Sequence, residues 1–537
     1  MSFFYLRAIV LFFVSWIIYA NVHNWWKFRQ LRKWGKQYGC AEVPAVPNEW
    51  PWGVERLYAL FTQMKHLDFL DDFVVKRCKD MGCYTYRMHN IFFTSVVSTD
   101  EPENIQAVLA TKFHDYELGP ARNDAFHSLL GNGIFTAERE QWAHFRHQLK
   151  PQFTRDQVSD LESAERHINV LFKAMPETNT AGWVESADWM PLLYRFTLDA
   201  STEFLFGQSV NSQSSALHAQ DSGYSAEEQA DIAFADAMSK AQEHVVSCLR
   251  VARPKWWPVP KGHSEACDIV KGLADQFVRG ALKKNENEEK KKPQGKVGES
   301  EDGEKKKFVL LDALVAETRD PIELRDQALH VLLAGRDTTS ALLGWSILLL
   351  SRHPEIYASL RSIVISVFGT SSNPLVEPSF ASLKACKELT HLLYEVLRLY
   401  PLVPINGRLA IRDTVLPTGG GKDGKQPVAV MKGEQVGYHS YVMHRRQDIW
   451  GEDADVFRPS RWEGRKLGWE MIAFSGGPRV CLGQQYALNE ASFFIVRVLQ
   501  RFDKIEALDM IGLLKKGLTI TLQPGDGVKV RMHRASE

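Results

Sequence analysis

The sequence predicts a mainly α fold with small β-sheets, one large body behind an N-terminal transmembrane anchor helix. Three observations predict it. Apolar residues recur at helical spacing over most of the chain, as in "LYALFTQMKHLDFLDDFVVKRC" and "SFFIVRVLQRF". β-rich stretches are short and confined to Thr94–Ser98, Gln426–Tyr438 and the closing "LTITLQPGDGVKVRMH". A charge-free apolar run, "AIVLFFVSWIIYA" from Ala8 to Ala20, stands near the start.

Extended back to Phe3, that run is 18 residues interrupted only by Arg7, just long enough to span a bilayer. Lys27, Arg29, Arg32, Lys33 and Lys36 follow, with no acid before Glu42, while Trp16, Tyr19, Trp25 and Trp26 suit the interfaces. Residues 1–25 therefore read as a transmembrane anchor with everything behind it cytosolic. A cleaved signal peptide ranks second, because the basic, aromatic flank suits a stop-transfer signal better than a cleavage site. Residues 26–51 read as a basic and Pro-rich hinge through Pro44, Pro47 and Pro51. Residues 52–537 form a single large domain, broken by a charged flexible loop over 283–307, "KKNENEEKKKPQGKVGESEDGEKKK".

The 65 basic and 65 acidic side chains of the 537-residue chain cancel, so no global field recommends a nucleic-acid partner. Its 7 cysteines are odd in number and scattered, with no CxxC pair, which suits a reducing compartment and argues against a structural zinc site.

The run "DPIELRDQALHVLLAGRDTTSALLGWSILLLSRHP" is the best-punctuated helix. Asp320 suits the N-cap, Pro321 the first helical position and Glu323 the reciprocal place of a capping box, and Pro354 lies beyond the end. Residues 321–352 would span about 48 Å, enough to cross the whole body. The middle of this helix is chemically odd. Gly335 costs about 1 kcal/mol against alanine, and Arg336, Asp337, Thr338, Thr339 and Ser340 interrupt an apolar run. Packing alone explains it if Gly335 admits a neighbouring helix and the hydroxyls bond back to carbonyls one turn earlier. Taken together, the segment instead suits a flat group against Ala334 and Gly335, with Asp337 and Thr338 beside it to pass protons.

Glu395 and Arg398 lie three apart on one helix face among apolar neighbours, the pattern of a buried structural ion pair. "GGGKDGKQ" nearly spells a phosphate-binding loop. Gln426 stands where Ser or Thr should hold magnesium, and a strand rather than a helix follows, so it reads as a turn between strands. "GNGIFT", Gly131–Thr136, is too short for a dinucleotide fingerprint, and no NAD or flavin site is visible.

A single cysteine is by default a small core hydrophobe. "FSGGPRVCLG" departs from that default. Gly476, Gly477 and Gly483 let backbone approach a bulky flat object, and Cys481 stands just before a helix, two residues from Arg479. Dipole and charge there favour a thiolate, as a metal ligand requires. Thiolate ligation of heme iron favours O–O cleavage, with the Asp337 and Thr338 turn as a proton source.

These residues resemble a known family. Phe474, Gly477, Arg479, Cys481 and Gly483 fit the FxxGxRxCxG heme loop of the cytochrome P450 monooxygenases. Glu395 and Arg398 match the family's ExxR pair, Ala334–Thr339 its oxygen-activating helix, and "VFRPSRW", Val456–Trp462, its arginine segment. The resemblance implies the cytochrome P450 fold and heme b, with Cys481 as axial ligand and Phe474 in its loop. Trp142 and Arg146 match the WxxxR helix facing the porphyrin, holding a propionate with the help of Arg408 and Arg479. It also implies a separate NADPH-cytochrome P450 reductase docking on the Cys481 side near Arg139, Arg146 and Lys150. It further implies cytochrome b5 as a second electron donor and a location in the endoplasmic reticulum membrane, single-pass, with a cytosolic domain.

A narrower resemblance, carried by "LLGNGIFTAEREQW", "LVAETRDP" and "HRRQDIWGEDADVFRPSRWE" among others, is to the fungal branch that hydroxylates n-alkanes and fatty acids at the chain end. The chain departs from that branch at Ala473, where proline is usual, and at Ile405, expected beside the substrate. It implies a hydrophobic small-molecule substrate enclosed by the apolar stretches Phe113–Phe135 and Leu402–Ile405, with Arg122 as a carboxylate anchor. The alternatives are a tailoring monooxygenase of a fungal secondary-metabolite pathway and, in another class, a heme-binding sensor or isomerase without oxygen activation. Asp337 and Thr338 argue against the last.

Overall fold

Asp320 starts the long helix as the sequence requires, its carboxylate accepting from the Ile322 N–H at 2.9 Å. In the computed structural model the helix runs Pro321–Arg352. The structure describes residues 2–46, 68–89, 95–154, 161–218, 226–251, 259–291, 308–509, 512 and 514–536. Glu323 does not complete the capping box. Its Oε1 accepts from Gln148 Nε2 at 2.8 Å and lies 3.2 Å from His144 Nε2, so the Arg139–Leu149 helix has taken the carboxylate.

Two compact units make up the chain: Met1–Gly119 with Val403–Asp455 and Leu467–Val480, and Pro120–Leu402 with Val456–Lys466 and Cys481–Glu537. Twelve strands are described: β1 (Thr85–His89), β2 (Ser95–Thr99), β3 (Tyr116–Glu117), β4 (Trp183–Asp188), β5 (Asn406–Ala410), β6 (Thr414–Gly420), β7 (Gln426–Val430), β8 (Gln435–Tyr438), β9 (Phe502–Ala507), β10 (Lys516–Leu518), β11 (Leu522–Pro524) and β12 (Lys529–Arg534).

The first unit holds a five-stranded sheet in the order β1-β2-β8-β5-β3, with β2 and β8 parallel and the other pairs antiparallel. Val97, Val436 and Tyr438 from its strands bury against Ile105 and Leu109. β6 and β7 form a separate antiparallel pair, and "GGGKDGKQ" is the turn that closes it, as expected. Gly419 and Gly424 there take φ of 103° and 67°, which only glycine adopts without strain.

The N-terminal helix of this unit runs without a break over Ser2–Lys36. The predicted boundary at residue 25 between anchor and hinge is therefore not a structural one: no proline or glycine interrupts the chain before Gly35, so the basic segment continues the helix. Among the described residues, no helix is long and apolar enough to cross a membrane. Arg7 on one side and Asn21, His23 and Asn24 on the other shorten the apolar run.

In the second unit the long helix packs along the Trp189–Phe206 helix, and Leu324, Leu329, Leu332 and Leu333 enter a core shared with Phe234 and Val270 from the Ala226–Val251 and His263–Lys291 helices. Its C-terminal half is pinned to the β10–β11 pair, with Trp345 Nε1 donating to the Leu522 carbonyl at 3.0 Å and its ring stacked 3.9 Å from Tyr400. A three-stranded sheet, β4-β12-β9, closes the unit. The charged loop predicted over 283–307 does not begin at 283. Its first nine residues extend the helix to Lys291, and residues 292–307 lie outside the described residues. Residues 57–67 of the first periodic stretch lie outside them too; the rest forms the helical turns Phe69–Val75 and Lys76–Met81.

Candidate active site

Glu395 and Arg398, on the Lys387–Leu399 helix, are completely buried. Arg398 grips the carboxylate with two bonds, Nε to Oε2 at 2.9 Å and Nη2 to Oε1 at 2.8 Å. The Val456–Trp462 segment supplies the rest. The Arg458 N–H donates to Oε1 at 3.0 Å, Arg461 Nε to Oε1 at 3.3 Å and Trp462 Nε1 to Oε2 at 3.1 Å. Arg398 Nη2 in turn reaches the Val456 carbonyl at 3.3 Å. One buried carboxylate thus ties two segments distant in sequence, and every bond to it is charge-assisted.

Cys481 lies three residues before the Gln484–Arg501 helix, and its side chain is exposed. It is nonetheless deep among protein atoms. Burial pushes the thiol pKa above its ordinary value, while the Gly483 N–H and the Arg146 charge pull it down. Dipole and charge therefore do not win outright, as the sequence had suggested they would, and the cation acting on the thiol in this unit is Arg146. The Arg139–Leu149 helix delivers it, with the guanidinium 5.7 Å from the centre of the buried Trp142 ring one turn earlier. Burial lowers the pKa of Arg146, and the Cys481 charge raises it.

Thr338 Oγ1 donates to the Ala334 carbonyl at 2.5 Å, the back-bonding that the packing reading requires. Gly335 also packs as that reading proposed, since a Cβ there would stand 2.9 Å from Ser201 Oγ on the neighbouring helix. Asp337 does not reduce to packing. It is buried, with Oδ1 accepting from Arg336 Nη1 at 3.1 Å and Oδ2 without a hydrogen-bond partner among the described residues. Burial pushes its pKa up and Arg336 pulls it down. The Arg336 guanidinium sits 5.2 Å from the Tyr194 ring centre.

The remaining predicted residues belong to the first unit. Arg408 on β5 is buried and donates through Nη1 to Asn406 Oδ1 at 3.2 Å and to the Gly407 carbonyl at 2.8 Å. Phe474 and Arg479 are half-buried, and Arg479 closes the single turn Gly477–Arg479. Two of the loop glycines serve a different purpose from the one expected. A Cβ on Gly477, at φ 66°, would overlap the Leu109 carbonyl, and one on Gly476 would overlap the Trp469 ring. Both glycines let the loop lie on protein. Gly483 alone is open, with Phe153 3.8 Å away.

Sequence reasoning missed three residues. Ser475 sits in the Phe474–Gly483 loop at φ 63°, a strained conformation for a residue with a side chain. Glu490, on the helix behind Cys481, is buried with its carboxyl pKa pushed up to about 7, and its one hydrogen bond comes from Tyr486 Oη at 3.5 Å. His330, on the long helix, is fully buried with its pKa pushed down to about 3. An acid within "YALNEASFFIV" and a histidine within "QALHVLLAG" were the available signals.

Such a carboxylate network, a reachable thiol ahead of a helix and a polar break in a long helix define a heme-thiolate protein. The chain belongs to the cytochrome P450 family, whose model matches residues 58–524. It is a P450 monooxygenase by family, and that family uses heme with a cysteine thiolate ligand and electrons supplied from NADPH by a reductase. Among relatives, it is 44% identical over 526 residues to cytochrome P450 monooxygenase g430 of Fusarium sp, covering 98% of this chain and 90% of that one. It is 42% identical to cytochrome P450 52E1 of Candida apicola, covering 93% of each chain. With cytochrome P450 52A12 of Debaryomyces hansenii the identity is 39%, covering 97% of this chain and 98% of that one. The crystal structure of the cytochrome P450DA heme domain shares the fold, with a TM-score of 0.71 over 93% of this chain and 98% of that one, at 20% identity.

Proposed function

We propose that this monooxygenase inserts one oxygen atom of dioxygen into a C–H bond of a long aliphatic substrate, a fatty acid or n-alkane, at or near the chain end. The observation that supports this reading is the apolar character of the segments expected around the substrate: Leu129, Leu130, Ile134 and Phe135 join Val331 and Leu333 of the long helix in one hydrophobic cluster, surroundings suited to methylene groups. Full-length similarity to yeast family-52 relatives supports it.

The residues fit a heme. Cys481 is a thiol both surrounded by protein and reachable, as an axial ligand must be, and Arg146 offers a cation beside it for a propionate. Trp142 backs that cation, and Arg408, Phe474 and Arg479 keep the roles their motif positions give them. When bound, the heme supplies the activation of dioxygen. This chain's own residues handle the protons. The Thr338 hydroxyl proton is committed to Ala334, so its oxygen presents lone pairs and can hold a proton donor in place. Asp337, next in the chain, carries a buried carboxyl whose Oδ2 is unbonded among the described residues, and in this reading it passes the proton inward.

Electrons come through NADPH-cytochrome P450 reductase, docking where Arg139 and Lys150 are exposed around Arg146, with cytochrome b5 as a second donor. An endoplasmic reticulum membrane location with the body in the cytosol is part of this reading, and the exposed Leu11, Phe12, Ile18, Tyr19, Trp25 and Trp26 of the Ser2–Lys36 helix support it. Residues 52–537 act together as the heme-thiolate domain.

The test is the reduced, carbon-monoxide-bound difference spectrum of the wild type beside Cys481→Ser, followed by a substrate panel. A strongly red-shifted Soret band lost in the variant, with fatty acids or alkanes then displacing iron-bound water, is the expected result. Heme without that band would favour a sensor or isomerase. If only a polyketide or terpenoid shifts the spectrum, the reading passes to tailoring of a secondary metabolite.

A further inference from the structure

Gln327 and His330 are neighbours three apart on the long helix, one turn and more before Ala334, and both are buried. The Phe135 N–H donates to His330 Nδ1 at 3.2 Å, so in the neutral ring the proton is on Nε2. Burial keeps the ring neutral. Among the described residues that Nε2 has no hydrogen-bond partner, and neither has the Gln327 amide nitrogen or its oxygen. The Gly131 carbonyl favours a proton on the ring but does not reach Nε2 in hydrogen-bond geometry. Two donor groups and an acceptor are thus buried without a bond among the described residues, next to Ala328, Leu329 and Val331 on the helix. Native interiors rarely leave such groups empty unless a water or a ligand completes them.

The facing loop is built around this edge of the imidazole. Asn132 N–H donates to Asp326 Oδ2 at 2.9 Å and Arg122 Nε to the Phe135 carbonyl at 3.2 Å, which seats Gly131–Thr136 on the helix. Gly133 is the residue opposite His330, and a Cβ there would stand 2.5 Å from Cδ2 and 2.7 Å from Nε2. Any side chain at Gly133 would therefore close off the free N–H.

We propose that Gln327 and His330 form a recognition point for a neutral oxygen on the substrate, a hydroxyl or carbonyl set partway along an otherwise aliphatic chain. The inference rests on the aliphatic reading above and narrows it. A hydroxyl accepts from His330 Nε2 and donates to the Gln327 oxygen; a carbonyl accepts from His330 and from the Gln327 amide. His330 lies eight residues before Thr338, about 12 Å along the helix axis, so the recognised oxygen sits at a fixed distance from the oxidised carbon.

The full-length, heme-loaded protein tests this by equilibrium dissociation constants, read from the Soret shift, for a long n-alkane and its mono-hydroxy and mono-keto counterparts with the oxygen stepped along the chain. The wild type should prefer one oxygen position by about tenfold over the alkane, the worth of one well-made buried hydrogen bond. His330→Asn keeps an acceptor for the Phe135 N–H but removes the ε donor, and should bring the ratio near one. His330→Gln restores an ε nitrogen and should recover part of it. Gln327→Leu, which leaves the loop anchor intact, should also flatten the profile. Chains that all bind, with no preferred oxygen position or with a preference that survives His330→Asn, would show that the site holds only an ordered water and overturn the inference while sparing the aliphatic reading. No shift with any chain in the wild type would overturn both.

Discussion

Thr338 Oγ1 donates its proton to the Ala334 carbonyl, 2.5 Å away and one turn back, so only the oxygen lone pairs of this hydroxyl remain free, to accept from a further donor. An acceptor there steadies a proton donor but does not itself build the pocket. Thr338→Ala should leave heme content and the carbon-monoxide spectrum unchanged, while product per NADPH falls severalfold and hydrogen peroxide rises. Thr338→Ser should restore most of the coupling. Unchanged coupling in Thr338→Ala, measured with a reconstituted reductase, removes Thr338 from proton delivery.

Glu395 receives five donors from Arg398, Arg458, Arg461 and Trp462. Glu395→Gln keeps the volume but leaves two buried guanidinium groups without their counter-charge, a change that costs about 3–5 kcal/mol when a buried pair is broken. Thermal unfolding should show a large loss of stability, with heme retention falling alongside it. A variant with wild-type melting would mean that the network is not what holds the Val456–Trp462 segment to its helix.

The bounds of the Pro321–Arg352 helix, the burial of Glu395 with Arg398 and the β6–β7 turn were legible because each is a local pattern: a cap with a proline, an apolar frame around a charge pair, a cluster of glycines. What stayed hidden depends on partners far along the chain. The sequence puts Arg479 two residues from Cys481, yet it cannot show that Arg146, from a distant helix, also acts on the thiol. Glu323 fits a capping box by spacing, but Gln148 competes for its carboxylate. The heme-loop glycines announce a close approach without saying to what, and for Gly477 it is the Leu109 carbonyl. Likewise, one histidine in an apolar helix is silent until Phe135 is found to occupy one of its nitrogens.

Ser475 and Gly477 are the two left-handed positions of the heme loop, and they should respond in opposite ways. Ser475→Gly relieves a strained backbone and should raise stability by up to about 1 kcal/mol, less the added freedom of the unfolded chain. Gly477→Ala adds a Cβ onto the Leu109 carbonyl and should be strongly destabilising. Denaturant midpoints of the two variants beside the wild type check both signs.

Glu490 gives the protein a pH dependence of its own. Its pKa is about 7 in the fold against an ordinary 4.5, so between those values the native state holds a proton that the unfolded chain releases. Stability therefore falls as pH rises from 4.5 to about 7 and is level above it, by about 3 kcal/mol over the whole range for this group alone. Glu490→Gln keeps the shape and cannot ionise. The variant should match the wild type near pH 5, exceed it by the full difference at pH 8, and remove that part of the slope between. Denaturant unfolding of both proteins across this range decides it, since parallel stability curves would mean that Glu490 is already ionised in the fold with a partner other than Tyr486.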